Sequence, residues 1–288
     1  MPKISKTKYY SWKSGKLADG CKFCVRGRKL VLFVTGICSK NCWYCPLSEQ
    51  KKNKDVVFAN EWKTSNPKEI IKEAELCSAL GAGITGGDPL LRIERTVKYI
   101  RLLKRHFGKK FHIHLYAPLN NITKQKLKKL YNAGLDEIRV HPDFHSRKNW
   151  EQIKTIREFD WVVGMEIPAI PGLRTETKQM IGYFSEYISF LNINELEQSD
   201  TNLAGMQKRG LKTKGVIDYG IKGSHELAMD LLNYAKDKVK NVHYCTTKLK
   251  DAVQLATRIK IRAKNYAQPF DKVTKEGLLV RGVIYPGS

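Results

Sequence analysis

The chain has 288 residues and 42% hydrophobic content, enough apolar side chain for one sizeable core or a core with a small appendage. No apolar run approaches the roughly 18 residues that cross a bilayer, and the basic, polar start holds no signal-peptide core, so no membrane partner is expected and the cytoplasm is the expected compartment. The 52 Lys and Arg against 28 Asp and Glu give a formal charge of +24, and 7 cysteines, an odd number, read as ligands in a reducing compartment rather than as disulfides.

Residues 1–28 read as a basic, irregular N-terminal extension that carries Cys21-Lys22-Phe23-Cys24. Residues 1–29 hold nine Lys and Arg against Asp19 alone, a net +8, and residues 246–288 hold nine against three acids, a net +6. These flanks suggest an anionic partner, nucleic acid first, against the competing reading of a lysine-rich solvated surface. Between them, apolar strand patterns and amphipathic helical patterns alternate. Strands are expected at 29–36, 83–85, 111–116, 137–140, 162–167 and 190–194, with a short segment at 242–244. Helices are expected from 67 to about 80, and at 91–106, 123–133, 150–159, 175–188 and 224–238. Asn66 or Ser65 suits an N-cap, Pro67 a first turn and Gly134 a helix stop. Six βα repeats in order imply a parallel sheet with right-handed crossovers. The core then spans 29–245. A C-terminal extension, 246–288, packs on it with a helix at 251–264 and a hairpin around Glu276-Gly277.

The first strand runs into Gly36-Ile37-Cys38-Ser39-Lys40-Asn41-Cys42-Trp43-Tyr44-Cys45. A structural zinc site takes four ligands, and so does an iron–sulfur cube. Three thiols on one short loop leave one iron free for a small molecule. C-x3-C-x2-C with an aromatic before the third cysteine resembles the cluster motif of radical S-adenosylmethionine (SAM) enzymes. The resemblance implies an α/β fold, a partial (β/α)6 barrel of radical SAM type with basic N- and C-terminal extensions. It implies a [4Fe-4S] cluster on Cys38, Cys42 and Cys45, with Tyr44 beside the SAM adenine. It also implies reductive cleavage of SAM, fed by a partner of ferredoxin or flavodoxin type, and hydrogen abstraction from a substrate. Further phrases, at 85–90, 112–116, 167–172 and 192–197, are similar to an archaeal group of radical SAM proteins related by motif to pyruvate formate-lyase activating enzyme.

In parallel βα folds, ligands gather where the C-terminal strand ends meet the following loops. Gly86-Gly87-Asp88-Pro89 resembles the superfamily's Gly-Gly-Glu segment, with Asp in place of Glu, and places Gly86, Gly87 and Asp88 at SAM. Arg139 and His141 share one face of the fourth strand and suit the SAM carboxylate or ribose. Glu166 ends the fifth strand, where a carboxylate within an apolar run needs a partner, the SAM amine or hydroxyls or a structural cation. His112, His114 and Tyr116 share one face of the third strand, and Asn192, Asn194 and Glu195 end the sixth. These six are the substrate candidates, and no catalytic residue is singled out. Cys21 and Cys24 together with His243 and Cys245 offer three thiols and an imidazole, a set that holds zinc or an auxiliary iron–sulfur cluster if the termini meet; otherwise they are plain thiols and a core histidine. Cys77 reads as a buried free thiol on a helix. The expected function is radical SAM modification of RNA, transfer RNA first. The alternatives are a radical activase or modifier of a protein, a small-molecule radical SAM enzyme, and a zinc-dependent RNA-binding protein without SAM chemistry.

Overall fold

The computed structural model describes residues 2–284; Met1 and residues 285–288, the tail of the expected C-terminal extension, lie outside the described residues. The strands are β1 (Ser5–Lys6), β2 (Trp12–Ser14), β3 (Leu30–Phe33), β4 (Phe58–Ala59), β5 (Trp62–Lys63), β6 (Gly81–Thr85), β7 (His112–Pro118), β8 (Glu137–His141), β9 (Val162–Ala169), β10 (Phe190–Glu195) and β11 (Val242–Cys245). They form one open sheet in the order β1-β2-β11-β10-β9-β8-β7-β6-β3-β4-β5. β3 and β6 through β11 are mutually parallel. The expected segment at 242–244 thus becomes a seventh parallel strand, registered Leu191↔Val242 to Asn194↔Cys245 on β10.

Side chains alternate across each strand, and the two faces have opposite chemistry. Ile113, Leu115, Ile138, Val140, Val163, Met165, Ile167, Leu191 and Ile193 are fully buried in the hydrophobic core. The helices α2 (Pro67–Leu76), α3 (Ile93–Phe107), α4 (Lys124–Ala133), α5 (Gln152–Ile156), α6 (Arg174–Phe184) and α8 (Ser224–Ala235) contribute the rest of that core. The other parity carries His114, Tyr116, Arg139, His141, Glu166, Asn192, Asn194 and His243, which line the inside of the curved sheet. Local signals set the helix ends. Asn66 Oδ1 accepts from Lys68 N with Pro67 in the first turn, and Gly134 closes α4 in the left-handed conformation at φ 95°.

The N-terminal segment is not irregular. β2 pairs antiparallel with β11, β1 with β2, and α1 (Asp19–Cys24) enters the open end of the barrel against β6 and β7. Such short strands carry no readable period; the exposed backbone edge of β11 orders them. Gly20 lets α1 in, since a Cβ there would stand 2.5 Å from Arg139 Nη2 and 2.6 Å from His114 Nδ1. The C-terminal segment opens with a π-helical turn, Leu249–Leu255, continues as α9 (Ala256–Tyr266) and ends in the hairpin β12 (Lys272–Val273)–β13 (Leu279–Val280). α9 lies along α2, where Arg262 Nε meets Glu73 Oε2 at 2.8 Å. A small helix, α7 (Leu203–Gln207), follows β10 and sits beside the loop after β3.

Candidate functional site

The polar inner face encloses a cavity of about 560 Å³. At its mouth lies the loop after β3, with Cys38, Cys42 and Cys45 half-buried and free. Backbone contacts clamp this loop on both sides. Gly87 N donates to Thr35 O at 2.8 Å and Asp88 N to Ile37 O at 2.9 Å. Asn202 Nδ2 donates to Tyr44 O at 3.2 Å, and Thr201 Oγ1 to Leu47 O. Both glycines of Gly86-Gly87 are sterically required. A Cβ on Gly86 would stand 2.5 Å from Thr35 O, and one on Gly87 2.6 Å from Ile37 O. The Cys42–Cys45 turn is closed by Cys45 N to Cys42 O at 3.1 Å. Among the described residues no three His, Cys, Asp or Glu side chains are drawn into a closed coordination sphere. The donor set fits an iron–sulfur cluster with one iron left to a small molecule.

Tyr44 projects from the same loop into the cavity. Its hydroxyl bonds His141 Nε2 at 2.9 Å, while His141 Nδ1 lies 3.0 Å from Glu166 O. The carbonyl can only accept, so Nδ1 carries the ring proton and Nε2 accepts from Tyr44. Burial lowers the His141 pKa, consistent with this neutral tautomer. Asp88 is fully buried: Oδ1 accepts from Leu90 N at 2.9 Å and Oδ2 from Asn121 Nδ2. Burial raises its pKa. Lys40 Nζ bonds Asp143 Oδ2 at 3.0 Å across the mouth.

Arg139 organises the cavity's deeper half. Its Nε donates to Glu137 Oε1 at 2.6 Å and its Nη1 to Glu166 Oε2 at 2.7 Å. Glu166 also accepts from Asn192 Nδ2 at 2.8 Å and Asn194 Nδ2 at 3.0 Å. The guanidinium therefore bridges both carboxylates, and Lys29 adds a second positive charge near Glu137. Burial opposes the charge on Glu137, but Arg139 and His112 outweigh it and hold the carboxyl at about 2. Glu166 is lowered too, with burial again overcome by Arg139 and the two asparagines. Burial, reinforced by Arg139 and Lys29, keeps His114 neutral, well below the usual histidine range. Lys29 is also buried, with its Nζ 3.0 Å from His112 Nδ1; desolvation lowers its pKa to about 7.

The structure thus brings Tyr44, Gly86, Gly87, Arg139, His141 and Glu166 to one cavity, together with His114, Tyr116, Asn192 and Asn194. Asp88 lies just behind its glycines. Two expected substrate residues, His112 and Glu195, lie outside it. His112 lies behind Lys29, which does line the cavity: its Nδ1 is 3.0 Å from Lys29 Nζ and its Nε2 3.5 Å from Glu137 Oε2. Glu195 has the opposite parity to Asn194; it accepts from Thr247 N at 2.9 Å and pairs with Lys214. Sequence reasoning missed Lys29, Lys40, Asn121 and Glu137, whose positions depend on pairings between distant strands. Thr201 and Asn202, beyond the end of β10, hold the cluster loop's backbone. Cys21, Cys24, His243 and Cys245 also line the cavity. Burial raises the Cys24 thiol to about 11 and lowers His243 to about 4. Cys77 is buried as expected, accepting from Asn60 Nδ2 at 3.1 Å.

A family model described as the Radical SAM superfamily matches residues 32–167. A curated protein of Methanocaldococcus jannaschii, named "Putative glycyl-radical enzyme activating enzyme", is 44% identical over 286 residues, covering 96% of this chain and 76% of that protein. Among solved structures, methylornithine synthase (PylB) is similar at a TM-score of 0.48 and 13% identity, over 75% of this chain and 66% of that one. The radical SAM methyltransferase TsrM from Kitasatospora setae is similar at 0.46 and 12%, over 88% of this chain, which spans only 55% of that chain. Likeness at that level carries no argument about chemistry. No helix among the described residues is long and apolar enough to cross a membrane. The motif at the mouth, the parallel barrel around it and a relative 44% identical along nearly the whole chain lead to one conclusion: the protein belongs to the radical SAM superfamily and is an iron–sulfur, SAM-dependent enzyme.

Proposed function

We propose that the protein is an activating enzyme that abstracts a hydrogen atom from a glycine of a partner protein. The observation that carries this reading is the relative named as such an enzyme, 44% identical over 96% of the chain. Membership in the superfamily sets aside the alternative of a zinc-dependent RNA-binding protein without SAM chemistry. The RNA reading rested on the two basic flanks, and many of those charges have partners within the fold. Lys22 pairs with Asp19, Arg258 with Glu61, Arg262 with Glu73, Lys250 with Glu197 and Arg281 with Asp271, while Lys29 is buried.

In this reading Cys38, Cys42 and Cys45 would hold the [4Fe-4S] cluster, and three thiolates would leave one iron for SAM. When bound and given one electron by a reductant of ferredoxin or flavodoxin type, cluster and SAM together supply a primary carbon radical that removes hydrogen from substrate. The chain's own residues orient SAM and exclude water. Gly86 and Gly87 present backbone without side chains beside the cluster loop, and Tyr44 offers a ring face whose tilt is fixed by its bond to His141. Asn192 and Asn194 each use an amide N–H on Glu166, and Asn192 Oδ1 is buried with no partner, an acceptor left for a ligand.

Deuterium transfer tests the substrate class. The reconstituted, reduced enzyme is incubated with SAM and a cell extract grown on α-deuterated glycine, separated into protein and RNA fractions. Deuterium in 5′-deoxyadenosine with the protein fraction is the expected result. Transfer with RNA alone, or 5′-deoxyadenosine that stays unlabelled with protein, overturns the reading.

A further inference from the structure

Three thiols that the proposed chemistry does not use line the same cavity: Cys21 and Cys24 on α1, and Cys245 on β11. They come from opposite ends of the chain, and several contacts bring those ends together. Trp12 of β2 is registered on Tyr244 of β11, Lys16 N donates to Asn241 Oδ1 at 2.8 Å, and Thr246 Oγ1 donates to Tyr10 O at 2.7 Å. Cys21 and Cys24 are three residues apart on a helix and share a face. The Gly20 approach presses that face into the barrel, where Cys21 Sγ accepts from Asn192 Nδ2 at 3.2 Å. Asn192 is registered beside His243 in the sheet, and Cys245 follows His243 on the same side.

His243 supplies the second, independent observation. It is 3% exposed, and its Nε2 is engaged by Ser11 Oγ at 3.1 Å, while its Nδ1 is buried with no partner. A buried polar atom left unpaired is destabilising by about 1–3 kcal/mol.

We propose that Cys21, Cys24 and Cys245 hold a second, thiolate-ligated metal centre, with His243 Nδ1 as its fourth ligand. Three thiolates and one imidazole are a closed structural zinc set, and thiolates equally suit an auxiliary iron–sulfur cluster. Either form staples α1 to β11 and closes the floor of the cavity opposite the cluster loop. The inference holds whatever the substrate.

The full-length chain with Cys38, Cys42 and Cys45 all changed to Ala separates this centre from the first. Purified anaerobically, it should retain about one zinc per chain, or the iron of one cluster, by elemental analysis. Adding Cys21→Ala or Cys245→Ala should remove that metal, and both together should remove no more than either. Zinc lost identifies the ion; iron with sulfide lost identifies the cluster. Cobalt(II) added to the metal-stripped chain should give a thiolate charge-transfer band that vanishes in His243→Ala only in part and in Cys21→Ala entirely. Circular dichroism checks that each variant is folded. Equal metal in parent and variants, additive losses, or no thiolate band with cobalt in the unmutated floor would each overturn the proposal; the last needs no floor variant to fold.

Discussion

Replacing Arg139 by Met tests the polar floor most directly. Methionine keeps the apolar packing of the guanidinium stem near Phe190 and Tyr116. It removes the one cation that lies 2.6 Å from Glu137 and 2.7 Å from Glu166. Breaking a buried pair from one side destabilises by about 3–5 kcal/mol, because the partner charge stays behind. For a chain this long that is a fall in Tm of about 10 °C. The pH dependence should also change sign. In the wild type Glu137 titrates at about 2, below its ordinary 4.5. Its contribution is therefore present above the unfolded pKa, lost only as pH falls from about 4.5 to about 2, and flat between pH 6 and 8. In the variant, burial without Arg139 raises the folded pKa of both carboxyls above the unfolded value. The native state then binds more protons, and stability falls as pH rises by up to about 1.4 kcal/mol per unit for each group titrating. Thermal and urea unfolding of the reconstituted protein at pH 6, 7 and 8 reads both effects. Adding Glu137→Gln to Arg139→Met should recover part of the loss. A variant within about 1 kcal/mol of wild type, with the same flat profile, would refute the assignment of two ionised carboxylates bridged by one arginine.

Changing Cys38, Cys42 and Cys45 to Ala should abolish the iron of the first cluster, about four per chain, and with it 5′-deoxyadenosine formation; iron retained in full would contradict the ligand assignment. Gly87→Ala should displace the cluster loop, since its Cβ would stand 2.6 Å from Ile37 O and 2.7 Å from Gly36 O; reduced iron loading and at least a tenfold drop in SAM cleavage are expected, and full activity would show that the loop yields freely. Tyr44→Phe leaves His141 Nε2 without its donor at 2.9 Å, so SAM should bind more weakly, by about fivefold for a lost bond near 1 kcal/mol; unchanged affinity in equilibrium dialysis would remove Tyr44 from the site. Lys29→Met should raise stability in metal-stripped protein most at low pH. A pKa near 7 in the fold against 10.5 outside it makes the native charged amine unfavourable below pH 7, a penalty relieved as pH rises from 7 to 10.5. Equal stability of the two proteins at pH 6 would refute it.

Local chemistry determined much of this protein in the sequence itself. Cys38, Cys42 and Cys45 announce the cluster because ligation by one loop needs only short spacing. Gly86-Gly87 announces a close backbone approach, and the strand and helix periods set the six repeats because burial enforces them along each segment. Asn66-Pro67 and Gly134 mark helix ends through contacts within a few residues. The tertiary structure alone decided which charges meet. Arg139 looks from the sequence like a free cation for a carboxylate, yet β8 and β9 lie side by side and Glu166 and Glu137 take it. Glu195 looks like its neighbour Asn194, yet strand parity turns it out of the cavity. β1 and β2 have too few residues to show a period, and they exist because β11 offers an unpaired edge. Cys21 and Cys24 face Cys245 across one cavity only because α1 enters the barrel at Gly20 and the chain's two ends share a sheet. Such contacts depend on register and closure between segments as many as 236 residues apart, for which a single sequence holds no local energetic signal.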